Sequence, residues 1–240
     1  MRGLVGVFGF VGPGHAYVPL LDAEAVAHGL ARALGLAATE VRLRALNAAL
    51  VLAADHELNP ATFAARIAAS GEADLHSCIG AAMNVHNGGR IGSVPDGVER
   101  LFAPGLRAKA VVAAARRVLA SAARLPGFNH PLYPRGDPRA ELMIELARAV
   151  ARGQQQRAML EAIDRLKEEL DQWPTIEGGL VALCRGIGAP DGTAAGLFAF
   201  GRVAGWIAHV LEQRLQGFMI RPRAKFVGSA VAPQGRALGG

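Results

Sequence analysis

The sequence predicts an all-α protein. Hydrophobic residues make up 51% of its 240 residues but aromatic residues only 5%, so alanine and leucine supply most of the expected core. Both are strong helix formers, whereas the β-branched residues that favour strands are few. Apolar residues recur at helical spacing in most segments, and only residues 3–10 and 225–231 resemble strands, weakly.

Capping residues divide the chain into successive helices. Asp22 begins a helical pattern that Gly35 ends, and Thr39 is an N-cap for the next. Asn59-Pro60 and Asp137-Pro138 each place a capping residue before a proline at the first helical position. Further helices are expected from Asn59, near 73–84, from 96, and at 107–123, 138–152, 154–172, 176–187 and 194–215. The glycine-rich and proline-rich start, residues 1–20, is predicted to be irregular.

The predicted helix 194–215 is apolar nearly all round its circumference. Such a helix is buried on both sides, either in a core or in a subunit interface. We expect this helix to be buried and to contribute to a dimer interface.

Charge and cysteine usage limit the classes of function. The formal net charge is +6, from 26 Lys and Arg against 20 Asp and Glu, and the cations are mostly scattered arginines. A nucleic-acid-binding arm is therefore not expected, whereas anionic small molecules suit the forked guanidinium group. Cys78 and Cys184 lie in apolar helical patterns and are interpreted as core residues. No segment has the pattern of a membrane span or a clear signal peptide, which favours a reducing, bacterial-type cytoplasm.

Several polar residues interrupt the apolar helices. His56 ends one helix, His130 lies in the loop 124–138, Glu177 begins a helix, and Arg202 lies within the most apolar helix. Each has a structural explanation on its own, such as helix capping or pairing with an acid. Together, two histidines, an acid and several arginines at loop ends indicate a pocket for a polyanion.

Four segments, in this order, resemble the citrate synthase family. Residues 54–66 (ADHELNPATFAAR) are similar to its D-H-E-x-N-x-S/T-F segment, and residues 125–140 (LPGFNHPLYPRGDPRA) to its P-G-F/Y-G-H loop ending in D-P-R. Residues 197–213 and 220–228 resemble its last helix and C-terminal segment. The resemblance implies an all-α homodimeric enzyme that condenses acetyl-CoA with oxaloacetate, with a CoA thioester as substrate and no permanently bound cofactor.

The resemblance also implies a domain division and a set of roles. Residues 21–90 and 196–228 correspond to the large domain, 91–195 to the small domain, and 229–240 to a loose tail. His130 matches the histidine that protonates the oxaloacetate carbonyl. The substrate-binding residues matched are His56, Arg139, Arg202 and Arg221, the last donated across the dimer. The loop that holds the CoA adenine matches Leu125, Pro126, Gly127, Phe128 and Asn129.

This sequence departs from the family at two catalytic positions. Ile91 stands where the family has the histidine that hydrogen-bonds to the enolate, and Glu177 stands where it has the aspartate that removes the methyl proton. His86, five residues earlier, lies about 140° away round a helix and is a poor substitute. Asn129 replaces a usual glycine, and the family carries more chain ahead of Asp55, which we expect a partner chain to supply.

Three functions follow from the resemblance and its departures. The first is an active condensing enzyme of the citrate synthase type, slow or shifted in substrate. The second is a catalytically weak or inactive paralogue that pairs with a full-length subunit. The third is altered carbon–carbon chemistry on another acyl-CoA or 2-oxo acid, including the lyase direction.

Overall fold

The computed structural model describes residues 2–103, 105, 107–121, 123–225 and 227–228, and these residues are helical with no β-strand. The predicted all-α class is confirmed. The eleven α-helices within this part of the chain are α1 Arg2–Val7, α2 Val26–Ala33, α3 Glu40–Ala54, α4 Pro60–Ser70, α5 Leu75–His86, α6 Val94–Leu101, α7 Ala108–Ala120, α8 Pro138–Val150, α9 Gln154–Leu170, α10 Ile176–Ile187 and α11 Thr193–Gln216.

The predicted capping residues begin α4 and α8, two helices next to the candidate active site described below. The Asn59 side chain accepts a hydrogen bond from Thr62 N at the start of α4, with Pro60 at the first helical position. Asp137 does the same for Arg139 N at the start of α8. These side chains satisfy backbone N–H groups that a helix start leaves unpaired.

The prediction of an irregular N-terminus is wrong for residues 2–10. Arg2–Val7 is helical, and a 3₁₀ turn, Phe8–Phe10, follows it, which also excludes a strand at 3–10. Val5 is fully buried, and the Phe8 ring lies 6.0 Å from the ring of Phe200. Burial of these apolar side chains outweighs the poor helix propensity of the glycines. Most of the other strand candidate, 225–231, and the predicted loose tail 229–240 lie outside the described residues.

Two apolar clusters form the interior. The larger combines side chains of α1–α3, α6–α10 and the first half of α11. The smaller joins α4 and α5 to the second half of α11, through Val203, Trp206 and Val210. The larger cluster reaches across the proposed boundaries at 91 and 195, so the two-domain division stays a prediction.

Helix α11 is the buried helix that the sequence predicts. Phe198, Arg202 and Trp206 are completely buried within the single chain, whereas Leu211 and Leu215 near its C-terminus are exposed. The helix has 24 residues and contains an 18-residue stretch with a mean hydropathy of 1.4, which by length and composition could cross a membrane. Half of that stretch is buried inside the protein. We therefore describe α11 as a core helix.

Two pairs of glycines let helices cross at close range. On α11, a Cβ at Gly201 would lie 2.7 Å from the Ala53 Cβ, and a side chain at Gly205 would overlap the carbonyl oxygen of Ala54. On α10, a Cβ at Gly179 would lie 2.6 Å from the Ala140 Cα of α8, and a Cβ at Gly186 would lie 2.9 Å from the Ala147 Cα. The first crossing places Arg202 against the end of α3. The second aligns the starts of α8 and α10, where Arg139 and Glu177 lie.

Candidate active site

Arg139 is held rigidly at the start of α8. Its Nε and Nη2 donate to the two carboxylate oxygens of Asp137, at 3.0 and 2.8 Å. Its Nη1 donates to the carbonyl oxygen of Asp55 at 2.9 Å and lies 3.3 Å from Nδ1 of His56. Arg139 therefore connects the loop after α3 with the loop before α8.

His56 and His130 face the same cavity. Their ring centroids are 6.2 Å apart, and the Leu132 backbone N–H donates to Nδ1 of His130 at 3.2 Å. Since donors occupy Nδ1 of both rings, the nitrogen of each ring that remains free to donate is Nε2. The cavity has a volume of about 180 Å³ and is lined by His56, Glu57, Leu58, Asn59, His130, Leu132 and Arg139.

Arg202 is a cation buried beside this cavity. Its Nη1 donates to the carbonyl oxygen of Ala54, and its Nη2 to Oγ1 of Thr62 at 2.8 Å. In the described part of the chain, no carboxylate lies within 4.0 Å of it. Burial lowers its pKa to about 10, with a further lowering by Arg139 that Asp55 opposes, so it stays charged at neutral pH.

The surroundings of His56 favour the neutral form of its imidazole. Burial, followed by the positive charges of Arg139 and Arg202 and the influence of His130, lowers the pKa of His56 to about 4. His56 is therefore uncharged at neutral pH and available as a hydrogen-bond donor through Nε2.

The loop 125–129 is fastened to the segment before α10. Phe128 forms an isolated antiparallel bridge with Pro174, and Thr175 N donates to the carbonyl oxygen of Gly127 at 2.9 Å. Leu125 and Phe128 are buried in the core, whereas Pro126 is half-buried and Asn129 is exposed. Gly127 has a φ of +73°, a conformation that favours glycine.

Asn129 adopts the left-handed conformation, with a φ of +55°. Asparagine tolerates this region better than most residues. Its Oδ1 accepts from Trp173 N at 2.7 Å, its own N–H donates to Trp173 O at 2.7 Å, and its Nδ2 donates to Asp171 O at 3.2 Å. Asparagine thus keeps the backbone conformation of the expected glycine and adds two side-chain hydrogen bonds.

Glu177 is buried in the first turn of α10, next to the loop of Gly127. Its carboxylate accepts a hydrogen bond from the Thr175 hydroxyl. Gly178 follows it, with its backbone N 3.3 Å from where a Cβ of Gly127 would lie. The carboxylate is close enough to Arg139 for the two charges to interact.

The remaining two predicted positions, Ile91 and Arg221, do not line this cavity. Ile91 is half-buried in the turn between α5 and α6, where its N–H donates to Gly88 O at 2.9 Å and its carbonyl accepts from Val94 N at 3.3 Å. Arg221 is exposed after α11. The structure thus brings together His56, His130, Arg139 and Arg202, but not Arg221, which the resemblance assigns to a neighbouring subunit.

Comparison with known proteins identifies the family. The sequence model of the family "Citrate synthase, C-terminal domain" matches residues 14–223 of this chain. The chain belongs to the citrate synthase family. It is 30% identical to citrate synthase 2 of Bacillus subtilis over 192 residues, which cover 78% of this chain and 52% of that protein. The chain thus spans about half the length of the curated relatives that it matches.

Solved citrate synthase structures have the same fold. A ternary complex of carboxymethyl coenzyme A and oxaloacetate with the citrate synthase of Thermoplasma acidophilum matches with a TM-score of 0.79 and 25% identity, over 95% of this chain and 64% of that one. The citryl-CoA lyase of Hydrogenobacter thermophilus matches with a TM-score of 0.73 and 23% identity, over 89% and 88%. The second likeness is one of fold alone.

Two aromatic residues beside the site were not predicted as part of it. The Phe198 ring lies 5.3 Å from the His56 ring, and Arg202 lies with its Cζ 5.7 Å from the centre of the Trp206 ring. Phe198 and Trp206 lie four residues before and four after Arg202, so they share its face of α11. That spacing is a signal in the sequence that could have identified them.

Proposed function

We propose that this chain binds a 2-oxo dicarboxylate of the oxaloacetate class together with an acyl-CoA thioester, and joins them slowly. The cavity of His56, His130 and Arg139, with Arg202 beside it, is the dicarboxylate site. The thioester is a substrate, so the chemistry requires no permanently bound cofactor.

The buried charge of Arg202 is the observation that carries this proposal. Burying an unpaired cation is costly, and such groups are normally paired with an anion. The guanidinium has five N–H donors, of which two hydrogen bonds to the protein use only part. A ligand carboxylate supplies both the missing negative charge and the missing acceptors.

The geometry accounts for orientation of the 2-oxo acid. Arg202 and Arg139 attract the carboxylates, while the Nε2–H groups of His56 and His130 donate to oxygens between them. A donor on the keto oxygen stabilises the alkoxide that forms when the keto carbon is attacked, and His130 then supplies the proton. The backbone of 125–129 holds the CoA adenine beside Glu177.

Bond formation is the impaired step. Glu177 removes a methyl proton from the acyl thioester, and the resulting enolate carbon attacks the keto carbon to give a citryl thioester. Water then hydrolyses the C–S bond of this thioester, which releases the product acid and free CoA thiol. Ile91 has no group that donates to the enolate oxygen, and losing one such donor typically costs about 10²–10³ in rate. Glu177 carries one methylene more than aspartate, and a displacement of about 1 Å in a reacting group can cost about 10²-fold.

The lyase direction passes through the same enolate. A transition state shared by both directions is destabilised for both when its donor is lost, so cleavage of a citryl thioester is slowed with synthesis. Altered chemistry on another acyl-CoA or 2-oxo acid needs a hydrogen-bond donor to the enolate oxygen from a residue other than Ile91.

A role as a partner subunit is the second candidate. It is favoured by the apolar Ile91 and by the engagement of the Glu177 carboxylate with Thr175. In a homodimer or in a heteromer with a full-length paralogue, exposed Arg221 completes a neighbouring site. The setting we propose is the cytoplasm, where the two free, buried cysteines, Cys78 and Cys184, stay reduced.

Calorimetric titration tests the binding proposal. Oxaloacetate is titrated first, and carboxymethyl coenzyme A is then titrated into the oxaloacetate-saturated protein. We expect saturable binding of both to the wild type and a loss of oxaloacetate affinity of at least about 10-fold in Arg202→Met. The matched control is Arg117→Met, at an exposed position on α7, which keeps wild-type affinity. Absence of oxaloacetate binding to the folded wild type contradicts the proposal.

Purification of the chain alone and together with a full-length paralogue, followed by a turnover assay of each preparation, separates the two candidate functions. A chain that binds both ligands and turns them over alone is an enzyme. One that binds and becomes active only with a full-length paralogue is a partner subunit.

A further inference from the structure

Four buried nitrogen atoms without hydrogen-bond partners belong to residues in one part of the molecule. We call these four residues the corner. Among the described residues, five buried side-chain polar atoms have no partner, and four of these are Asn59 Nδ2, His86 Nδ1, Arg202 Nε and Trp206 Nε1. The fifth, Thr193 Oγ1, lies at the start of α11. Buried polar groups are normally satisfied, so a concentration of exceptions calls for an explanation.

The four nitrogens belong to one continuous set of contacts. The His86 ring lies 5.6 Å from the Trp206 ring and 5.2 Å from the Phe198 ring. The guanidinium group of Arg202 also contacts Trp206, with its Cζ 5.7 Å from the centre of the Trp206 ring. The Phe198 ring also lies 5.3 Å from the His56 ring. The corner therefore adjoins the proposed dicarboxylate site.

Asn59 connects the corner to the cavity itself. Its Oδ1 accepts from Thr62 N at 2.9 Å, and the Thr62 hydroxyl accepts from Arg202. Asn59 also lines the cavity of His56 and His130.

The unpartnered groups call for a ligand that accepts hydrogen bonds. Arginine Nε, tryptophan Nε1 and an amide nitrogen only donate, and a histidine nitrogen donates in one of its tautomers. Burial, followed by the charge of Arg202, lowers the pKa of His86, so its imidazole is neutral and has a single N–H at neutral pH. Arg202 adds a positive charge. A carboxylate matches both the charge and the donors.

We infer that His86 is a substrate-binding residue, whose Nδ1–H donates to the carboxylate that Arg202 and Trp206 also bind. This inference rests on the proposed function and extends it, because it assigns His86 to the dicarboxylate and not to the enolate. The Phe198 ring contacts both the His86 ring and the His56 ring. Packing between two aromatic rings fixes the imidazole and orients its donor before the ligand arrives.

Two substitutions at one position separate hydrogen bonding from packing. His86→Leu removes the donor and fills most of the space, whereas His86→Asn places an amide N–H near the position of Nδ1. We expect oxaloacetate to bind about 10- to 100-fold more weakly to His86→Leu, as for loss of a hydrogen bond to a charged group, and within about fivefold of wild type to His86→Asn. His76→Leu, at an exposed histidine on the same helix, is the control and binds like the wild type.

Tryptophan fluorescence gives a second readout. The chain has only two tryptophans, so Trp173→Phe leaves Trp206 as the single reporter. L-Malate, which does not absorb at the excitation wavelength, is expected to shift the emission of Trp206 in this background. It is expected to do so at lower concentration than in the same background with His86→Leu. Acetate, which has one carboxylate, is the comparison ligand.

The outcomes distinguish this inference from the proposed function. If the folded wild type does not bind oxaloacetate, the proposed function fails. If the wild type binds and His86→Leu binds equally well, or if Leu and Asn are equally weak, His86 has only a packing role and the inference alone is overturned. Unchanged Trp206 emission at saturating malate overturns it as well, and does not depend on the folding of any His86 variant.

Discussion

Arg139 and His56, 83 residues apart in the sequence, meet through Nη1 and Nδ1 at 3.3 Å. A guanidinium group only donates, so the imidazole accepts at Nδ1 and keeps its proton on Nε2. The same arginine is neutralised by Asp137, which fixes its position independently of His56. A charged His56 would have to give up this hydrogen bond and face two arginines.

His56 makes stability depend on pH in the acidic range. Its pKa is about 4 in the folded protein against an ordinary value of 6.5, so between these values the unfolded chain takes up a proton that the folded chain does not. The free energy of unfolding of the wild type is therefore expected to fall as the pH drops from 6.5 to 4. The loss attributable to His56 is roughly 2–3 kcal/mol.

Urea unfolding at several pH values measures this loss. His56→Gln, which cannot take up a proton, is expected to lose less stability over the same range. His86 and His209, whose pKa values are also lowered, contribute to both proteins, so the difference isolates His56. Parallel pH profiles for the two proteins would show that His56 is not responsible.

Asn129 is expected to tolerate glycine better than alanine. Either change removes the side-chain hydrogen bonds to the segment before α10, but alanine also has to adopt a φ of +55°, which costs about 1 kcal/mol more. Chemical denaturation should rank the stabilities as wild type, then Asn129→Gly, then Asn129→Ala. The opposite order of the two variants would argue against a left-handed residue at this position.

The crossing of α11 over α3 depends on Gly205. A methyl group there would overlap the carbonyl oxygen of Ala54, and overpacking of this kind typically costs about 1–3 kcal/mol. Gly205→Ala is therefore expected to lower the free energy of unfolding, and to weaken oxaloacetate binding by displacing Arg202.

Gly80→Ala is the matched control for this change. Gly80 lies within α5 with nothing within 4 Å of its Cβ position, so alanine should be neutral or stabilising by up to about 1 kcal/mol. Equal effects at both glycines would contradict the close crossing.

Much of the fold could be predicted from local signals. Asn59-Pro60 and Asp137-Pro138 mark helix starts because capping and the fixed φ of proline act within a few residues. The N-terminal helix was missed because its formation depends on Phe8 packing against Phe200, some 190 positions away along the chain, which no local pattern contains.

The candidate site also has a part that the sequence predicts and a part that it does not. The motifs indicate His56, His130, Arg139 and Arg202, and the structure brings these four together. The sequence does not reveal that Thr175 engages Glu177 or that His86 packs between Phe198 and Trp206, because both depend on how helices meet. Helical spacing alone places His86 off the face of position 91, and the structure shows where it lies instead.

Restoring the enolate donor is expected to restore turnover. Ile91→His is expected to supply the missing hydrogen bond and to raise kcat by up to about 10²-fold, with little change in KM for oxaloacetate. Adding Glu177→Asp should raise kcat further, since both groups act on the same proton transfer. Ile91→Leu, which adds no donor, is the control and stays at the wild-type rate.

The role of position 91 is measured by the release of free CoA thiol from acetyl-CoA and oxaloacetate, compared between the wild type and Ile91→His at saturating substrates. We predict a wild-type turnover far below the usual enzyme range of about 1–10³ s⁻¹, and an increase in Ile91→His. A wild-type turnover within that range, or an Ile91→His protein that binds both ligands but turns over no faster, would show that Ile91 does not limit the reaction.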